Sequence, residues 1–332
     1  MNPVEDILGA FHRYSALIVG DICLDRWCTY DPHEAEPSRE TGIPRIGVVS
    51  TAVTPGAGGT VANNLAALGI GRVAVLGAIG DDGFGYELKR ALHNLRISSE
   101  LLVADSSVAT FTYMKLLNGG SKKEDHPRVD FINTQDLPSG IEDRILHRLD
   151  AVGRDFDVIF VADQAETAKG GVVTNRVRES IVDIARDNPN KVVWVDSRRR
   201  SSEFRNVIIK PNQEEADAAC TALFRRIDYT ALRQHVESKL MFVTEGARGV
   251  MVVDESGEHL VPTREVREPI DICGAGDSFS AGAGIALAAT GSARTAAWFG
   301  NLVASITITK RGTGTASPTE VRAAAEAAGA LA

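Results

Sequence analysis

The chain has 332 residues, of which 44% are hydrophobic and 24% charged, and its formal net charge is −8. This length suffices for one large α/β domain with a substantial core or for two ordinary domains. The composition excludes wholesale disorder, and the acidic balance argues against non-specific nucleic-acid binding, which depends on neutralising phosphates with cations. Small anionic ligands stay compatible with it, because local basic residues can override the global charge.

The first 20 residues contain no basic leader followed by an apolar core. No apolar stretch approaches the roughly 20 residues that a membrane helix needs. The four cysteines form no C-x-x-C pair and no metal-ligand spacing with the seven histidines. We therefore expect a cytoplasmic protein with reduced thiols and with no membrane or nucleic-acid partner.

Short β-branched runs alternate with longer amphipathic segments along almost the whole chain. The predicted strands are 16–19, 73–79, 110–117, 158–161, 192–195, 207–209, 241–244 and 250–253. The predicted helices are 61–68, 86–95, 142–149, 174–186, 277–289 and 295–309. This alternation indicates βαβ units and a mostly parallel sheet with helices on both faces. Strands that are apolar throughout fit a sheet buried on both sides.

Polar stretches rich in Pro, Gly and charge interrupt this pattern, and we place excursions at about 26–54 and 110–136. They are too long for routine connections, so they are predicted to form a lid over a site. No composition shift and no internal repeat marks a domain boundary. We therefore expect a single domain over residues 1–332 with this lid.

The most informative segment is DICGAGDSF at 271–279. Gly274 and Gly276, separated by Ala275, lie where a loop turns into the predicted helix at Asp277. Amides at a helix start form an anion site, and small side chains let a phosphoryl group approach them. The carboxylate of Asp277 is then placed to take a proton from an attacking hydroxyl. The same residues also fit an ordinary Gly-rich loop with an Asp favoured by the helix dipole.

The pattern D-x-x-G-A-G-D before a small-residue helix resembles the C-terminal signature of ribokinase-like (PfkB) sugar kinases. Further segments resemble that family in the expected order, namely GDICLD at 20–25, GGTVAN at 58–63 and GAIGDDGFG at 77–85. The resemblance runs from about residue 16 to about 320, and several ordered motifs are more specific than one. It implies a ribokinase-like three-layer α/β/α domain with a mostly parallel central sheet and a small β lid, acting as an ATP-dependent carbohydrate kinase.

By this resemblance, Asp277 matches the catalytic base, and the amides of Gly274, Ala275 and Gly276 match the anion hole for the transferred γ-phosphoryl. The matched sugar-binding positions are Asp25, Gly58, Gly59 and Asn63. Asp25 also follows the first predicted strand at its carboxyl end, where open α/β sheets bind ligands. Carboxylates and amides supply the donors and acceptors that polyols need. Taken without the family, Asp25 fits a turn and Asn63 a solvent-facing helix position.

On the nucleotide side, Asn212 and Glu215 match the family's N-x-x-E, which orders Mg²⁺ through water and the ATP phosphates. The same pair also fits a helix capping box, and the two roles are compatible. The turn residues Thr244, Gly246 and Gly249 match a segment close to the phosphates. No Walker A sequence occurs, so the chain is not expected to be a P-loop enzyme.

Two further positions are carried over from the family. Asn301 matches an Asn beside the adenine, and Asp271 with Gly312 matches a monovalent-cation site, which implies K⁺. The chain departs from many members by having Cys273 where they have Thr. A thiol there can pack as a small hydrophobe without changing the chemistry.

Among sugar kinases, the chain most resembles the kinase domain of bacterial D-glycero-D-manno-heptose-7-phosphate kinases, which phosphorylate a sugar that already carries a phosphate. The similar segments are GDICLDR at 20–26, RVD at 128–130, AKG at 168–170 and KRGT at 310–313. Arg128 and Lys169 are therefore predicted to bind substrate, with Arg39 and Lys115 as further cations near the pocket. The family's P-K-G is replaced by SRRR at 197–200, which we interpret as a solvated basic loop.

The acceptor is thus predicted to be a sugar or a sugar phosphate. A homodimer through the lid strands is implied by the family, and no nucleotidyltransferase domain is expected, because the sequence ends soon after the kinase pattern. Two alternatives stay open, a nucleoside kinase on the same fold and a non-catalytic sugar- or nucleotide-binding protein. The second is disfavoured because Asp277 and its glycine pair are intact.

Overall fold

The computed structural model describes residues 3–34, 36–165 and 169–328. Within these ranges the strands are β1 (Ser15–Gly20), β2 (Ile22–Tyr30), β3 (Val48–Ala57), β4 (Arg72–Leu76), β5 (Ala78–Gly80), β6 (Val103–Asp105), β7 (Thr112–Asn118), β8 (Val129–Phe131), β9 (Val158–Asp163), β10 (Val192–Ser197), β11 (Ile208–Ile209), β12 (Met241–Thr244), β13 (Val250–Asp254) and β14 (Gly257–Val261). The α-helices are α1 (Pro3–Phe11), α2 (Gly58–Leu68), α3 (Gly83–Asn94), α4 (Ser139–Val152), α5 (Asn175–Asp187), α6 (Gln213–Phe224), α7 (Tyr229–His235), α8 (Ala275–Thr290), α9 (Ala293–Thr307) and α10 (Pro318–Ala328).

Eight strands form the central sheet in the order β14-β13-β12-β11-β10-β9-β1-β4. The six strands from β4 to β12 run parallel. The hairpin of β13 and β14 continues the sheet antiparallel at one edge. The predicted mostly parallel sheet is therefore confirmed.

Alternate residues of the central strands enter two separate cores. In β9, Val158 and Phe160 pack with α1, α2, α8 and α9, whereas Ile159 and Val161 pack with α4 and α5. Side chains of a strand point to opposite faces with period 2, so a strand covered on both sides is apolar at every position. Helix, sheet and helix thus form three layers.

The predicted strand at 73–79 is wrong as a single element. Strand β4 belongs to the central sheet, whereas β5 pairs with β6 in a separate two-stranded sheet. The chain bends at Gly77, where an added Cβ would lie 2.3 Å from the carbonyl oxygen of Gly20. A close backbone approach that only glycine permits therefore divides one apolar run between two sheets.

A second, four-stranded sheet has the order β3-β2-β7-β8 and overlaps the two predicted lid excursions, with β2 beginning before the first and β3 ending after it. We call these four strands the lid. Strand β2 follows β1 almost directly, because Gly20 takes a φ of 131° against Ala162, whose carbonyl oxygen would lie 2.2 Å from an added Cβ. The bounds of a single domain over 1–332 stay a prediction.

The lid is fastened to the helical layer by α3. Arg26 of β2 forms an ion pair with Glu87, and its guanidinium lies 5.7 Å from the ring centre of Phe84. Phe84 in turn meets Phe131 of β8 edge to face, with ring centres 4.8 Å apart. Aromatic and charged contacts together thus hold the lid over the carboxyl edge of the sheet.

Sequence reasoning missed the helices α1, α6, α7 and α10 and the strands β2, β3, β6, β8 and β14. The lid strands are partly exposed and lack the all-apolar character of the central strands, which is why they gave no clear pattern. None of the described helices has the length and apolar character needed to cross a membrane.

Candidate active site

The carboxyl ends of neighbouring parallel strands bring several polar side chains to one edge of the sheet. Asp163 ends β9, Asp196 and Ser197 end β10, and Lys210 follows β11 directly. Because β9, β10 and β11 are neighbours and run parallel, their carboxyl ends lie at the same edge of the sheet. Ligands of open α/β sheets bind at that edge. The start of α8 lies at the same edge.

A cavity of about 110 Å³ opens there between the lid and the start of α8. Its lining combines two acids, three cations and several uncharged groups, namely Asp25, Trp27, Ala57, Thr60, Tyr113, Lys115, Arg128, Gln164, Arg198, Cys273, Gly274, Asp277 and Thr313. Acids beside cations in a concave site are the groups that bind and deprotonate polar, anionic ligands.

Helix α8 begins at Ala275, two residues earlier than predicted, because Gly274 takes the left-handed conformation (φ 75°) that caps it. Asp277 therefore lies in the first helical turn, near the positive end of the helix dipole. The amide of Ala275, one of the three predicted anion-hole amides, donates to the carbonyl oxygen of Ile272 at 3.2 Å. Small residues let α8 press against the sheet, since an added Cβ at Gly284 would lie 2.4 Å from Phe160.

The carboxyl of Asp277 has a strongly perturbed environment. Burial, reinforced by the negative charge of Asp196, raises its pKa to about 7, while the cations Lys210 and Arg198 act in the opposite direction. A carboxylate with a pKa close to neutral is a much better proton acceptor than an ordinary aspartate. The side chain is thus suited to general-base chemistry.

Lys210, which sequence reasoning did not single out, is buried beside this carboxylate. Its ammonium lies 2.6 Å from Asp196 Oδ2, and a Cβ added at Gly276 would lie 3.2 Å from Lys210 Nζ. The ammonium therefore faces the start of α8, where an anion would be held. The feature of the sequence that could have identified Lys210 is its position directly after the apolar pair Ile208–Ile209.

Asp25 does not follow β1 at the edge of the central sheet as expected, because it lies within the lid strand β2. Its carboxyl still reaches the cavity, where burial raises its pKa to about 6 against the opposing effect of Lys115 and Arg128. The acid directly after β1 is Asp21, which accepts backbone hydrogen bonds from Gln164, Ala165 and Val172 at 2.8 Å each. Asp21 thus serves the architecture.

The turn at the start of α2 is built by close packing. Added Cβ atoms would lie 2.8 Å from Ile22 at Gly58 and 2.5 Å from Pro55 at Gly59. Neither glycine lines the cavity, and neither does Asn63, which is buried; their neighbour Thr60 does line it. A sugar-binding role for these three residues stays a prediction.

The four predicted substrate cations separate into two groups. Lys115 and Arg128 line the cavity, and the guanidinium of Arg128 lies 4.8 Å from the ring centre of Tyr113 and forms two 2.7 Å bonds with Asp130. Lys169 instead pairs with the exposed Asp136 at 2.7 Å. Arg39 is likewise exposed and outside the cavity lining, and Ala168, from the motif at 168–170, lies outside the described residues.

Asn212 and Glu215 form the capping box that their spacing allowed. Asn212 Oδ1 accepts from the Glu215 amide, and Glu215 Oε2 accepts from the Asn212 amide, both at 2.8 Å. Burial raises the pKa of Glu215, although Lys210 and Arg198 lie near enough to oppose it. The capping box uses Oε2 and leaves Oε1 outside it.

The remaining predicted nucleotide residues lie around the neighbouring strand ends. Thr244 ends β12 and pairs with Asn212 across an isolated bridge. Gly246 and Gly249 take φ values of 59° and 109° in the following turn, and Gly249 packs against Val261. Asn301 is buried and donates through Nδ2 to the Val261 carbonyl oxygen at 3.0 Å, so its side chain anchors the end of β14.

Asp271 ties two loops together. Its Oδ1 accepts from the Cys273 amide at 2.9 Å and its Oδ2 from the Gly312 amide at 3.1 Å. Cys273 is exposed and lines the cavity. Over the described part of the chain, no group of three or more His, Cys, Asp or Glu side chains is arranged to hold a metal ion by itself.

The pfkB family carbohydrate kinase model matches residues 182–320, the segment that supplies Arg198, Lys210 and Asp277. Residues 182–320 are therefore similar to the pfkB family of carbohydrate kinases. Relatives named Bifunctional protein HldE are 27% identical over 329 residues in Rhodopseudomonas palustris (strain BisB5) and 28% identical over 324 residues in Geobacter sulfurreducens. The matches cover 97% and 96% of this chain but 65% and 64% of those relatives, so the chain spans about two thirds of their length.

Solved structures of other proteins show the same fold as this chain. Ribokinase from Thermotoga maritima superposes with a TM-score of 0.67 at 18% identity, covering 94% of this chain and 99% of the other. Phosphofructokinase-2 from Escherichia coli in complex with potassium gives a TM-score of 0.67 at 17% identity, covering 93% and 97%. The predicted ribokinase-like α/β fold is confirmed.

Proposed function

We propose that this chain transfers the γ-phosphoryl group of ATP to a hydroxyl of a sugar phosphate, with a heptose 7-phosphate as the leading acceptor. The observation that carries the proposal is one cavity whose lining brings together Asp277, at the start of α8, with Asp25 and three cations. The kinase family match and the HldE relatives support the reaction class and the acceptor class.

In this reaction the acceptor hydroxyl oxygen forms a bond to the γ-phosphorus of ATP. The bond between that phosphorus and the β–γ bridging oxygen breaks, and its electron pair leaves with ADP. Asp277 takes the hydroxyl proton, which its raised pKa favours. The start of α8 at Gly274 and Gly276, with Lys210 facing it, provides positive potential for the phosphoryl oxygens.

Mg²⁺ suits the nucleotide side of the site. The ion prefers oxygen ligands and usually keeps several waters while bound to substrate phosphates. Glu215, with one carboxylate oxygen outside the capping box, and Asn212 are oxygen donors that would hold it through water. When bound, it would neutralise charge on the β- and γ-phosphates. A K⁺ ion beside Asp271 is a further part of the proposal, supported by the potassium complex of the E. coli neighbour.

The lid cations favour an acceptor that already carries a phosphate. Lys115 and Arg128 lie close enough to Asp25 to oppose the rise of its pKa, so all three face the same end of the cavity. An acid at that position suits sugar hydroxyls, and the two cations suit an anionic group on the same molecule. Ion pairs exposed to solvent contribute little to the stability of a protein. Substrate binding therefore explains the presence of Lys115 and Arg128 better than a stabilising role does.

An ADP-release assay tests the function, with sugars, sugar phosphates and nucleosides as acceptors. We expect the highest kcat/KM with a heptose 7-phosphate and a tenfold or larger preference over the unphosphorylated heptose. Arg128→Ala should reduce that preference, whereas the control Arg144→Ala on α4, which breaks a surface ion pair with Asp105 of β6, should not. Equal values for the matched pair would refute the sugar-phosphate assignment. A nucleoside preferred over every sugar would establish the nucleoside-kinase alternative.

We further propose that the lid pairs with the lid of a second copy. Its strands and the connected loops expose several large apolar side chains, namely Ile43, Ile46, Val48, Val49, Val129, Phe131 and Ile132. Large apolar side chains exposed on one sheet and its loops are typical of association surfaces. Sedimentation of wild type against Val49→Lys is the test; a wild-type monomer at micromolar concentration would refute it.

A further inference from the structure

The turn at 197–200, interpreted from sequence as a solvated basic loop, is a rigid part of the site wall. The buried carboxylate of Asp163 accepts from Ser197 Oγ at 2.6 Å and from Arg200 Nε at 3.0 Å. The carbonyl oxygen of Asp163 accepts from the Arg198 amide at 3.2 Å. Bonds from both sides of the turn to one residue at the end of β9 fix the backbone position of Arg198.

The side chain of Arg198 is also held in place. It lines the cavity, and its Nε donates to Gln164 Oε1 at 2.8 Å. Gln164 is itself buried, with Nε2 donating to the Asp196 carbonyl oxygen at 3.2 Å and its amide donating to Asp21 Oδ2 at 2.8 Å. The guanidinium is therefore pre-oriented by a residue whose own position is fixed.

The cations of the cavity come from two different parts of the fold. Lys115 lies on the lid strand β7 and Arg128 directly precedes β8, and both lower the pKa of Asp25, whereas Arg198 and Lys210 follow β10 and β11 and lower the pKa of Asp277. The backbone at the ends of β10 and β11 belongs to the central sheet and not to the lid. The two cations from the central sheet, Arg198 and Lys210, are thus the ones that act on the base Asp277.

We propose that Arg198 is a catalytic residue whose guanidinium, positioned by Gln164, contacts the phosphoryl group in transit between ATP and the acceptor. The inference rests on the proposed function. Charge in such a transition state spreads over three equatorial oxygens, which fixed donors stabilise best because they need no reorganisation. A planar guanidinium can contact two of those oxygens at once. It keeps its protons throughout, so the bond changes are those already given for the transfer.

The opposing assignment is that Arg198 binds a phosphate on the acceptor. The two assignments predict different effects of removing the side chain on the kinetic constants of different acceptors. A contact with the phosphoryl in transit affects every acceptor equally and lowers kcat. A contact with an acceptor phosphate affects only phosphorylated acceptors and raises their KM.

The experiment compares Arg198→Gln and Arg198→Lys with Arg199→Gln, which removes the same charge one residue away, outside the cavity lining. We expect Arg198→Gln to lower kcat about 10²–10³-fold, the range for losing one transition-state donor. The loss should be the same for a heptose and its 7-phosphate, with KM values for ATP and acceptor within about threefold of wild type. Arg198→Lys should restore part of the rate, and Arg199→Gln should behave as wild type. A loss confined to the phosphorylated acceptor, or wild-type kcat, overturns the inference.

A binding measurement gives a readout that does not depend on turnover. Calorimetry of ADP with aluminium fluoride, a mimic of the phosphoryl in transit, should show tightening over ADP alone in wild type. Arg198→Gln should bind ADP normally but lose most of that tightening, and Gln164→Ala should lose part of it. Retained tightening in Arg198→Gln overturns the inference while leaving the kinase function intact. A wild-type protein that turns over no acceptor and shows no tightening refutes the proposed function itself.

Discussion

Replacing Asp277 by Asn is expected to stabilise the protein while disabling it. The pKa of the Asp277 carboxyl rises from 3.8 to about 7, first through burial and then through Asp196. Above pH 7 the Asp277 carboxyl is ionised in both states, but its ionisation costs more free energy in the folded state than in the unfolded chain. Three pKa units at 1.36 kcal/mol each correspond to a cost on the order of 4 kcal/mol at pH 8.

The sign of the pH dependence follows from the same shift. Between pH 3.8 and about 7 the folded state binds the proton and the unfolded state does not, so this group makes folding less favourable as pH rises. At pH 5 the cost is only about 2 kcal/mol by the same relation. Asp277→Asn carries no charge to bury. Its advantage over wild type should thus be largest at pH 8 and shrink toward pH 5.

Denaturant unfolding at pH 5 and pH 8 measures this advantage, and the ADP-release assay measures the accompanying loss. We expect kcat to fall about 10²–10⁴-fold, as for removal of a general base, with ATP affinity nearly unchanged. In wild type, kcat/KM should rise with pH through an apparent pKa near 7. Asp183→Asn, which removes an exposed carboxylate on α5, is the control and should change neither property.

Three results would contradict this reasoning. Turnover of Asp277→Asn close to wild type would show that another group takes the proton. A wild-type rate that does not vary between pH 5.5 and 8.5 would show that the carboxyl is not perturbed in the working enzyme. A variant less stable than wild type at pH 8 would show that Lys210 gains more from the ionised carboxylate than burial costs.

The remaining predictions concern the acceptor end and the framework. Asp25→Ala should raise KM for the acceptor tenfold or more, the loss of about 1–3 kcal/mol of hydrogen bonding, and leave KM for ATP unchanged; an effect on ATP alone would contradict it. Asp163→Ala should lower the free energy of unfolding by about 3–5 kcal/mol, because Arg200 loses its buried partner, and a loss below 1 kcal/mol in urea would be inconsistent with that. Gly284→Ala should cost about 1–3 kcal/mol by overpacking against Phe160, and a raised Tm would disprove the close contact.

Local patterns determined much of this protein from the sequence alone. The apolar central strands, the glycine pair before Asp277 and the N-x-x-E at Asn212 each depend on neighbours within a few residues, and the structure has a strand or helix start at each, apart from the run 73–79, which is divided between two strands. The capping box at Asn212 and Glu215 is the clearest case, because both of its hydrogen bonds are local. Family resemblance then placed these pieces in one fold.

The tertiary structure decided which of the charged residues meet. The sequence predicted substrate binding for Arg128 and Lys169 and a solvated loop for Arg198, yet Arg128 and Arg198 line the cavity and Lys169 pairs with Asp136 on the surface. Asp25 reached the cavity from the lid, and Asp21, four residues earlier, became a framework residue. Whether a long polar side chain turns inward depends on the strand order and on partners distant in sequence. That information belongs to contacts such as Gln164 with Arg198, which exist only once the parallel strands have packed side by side.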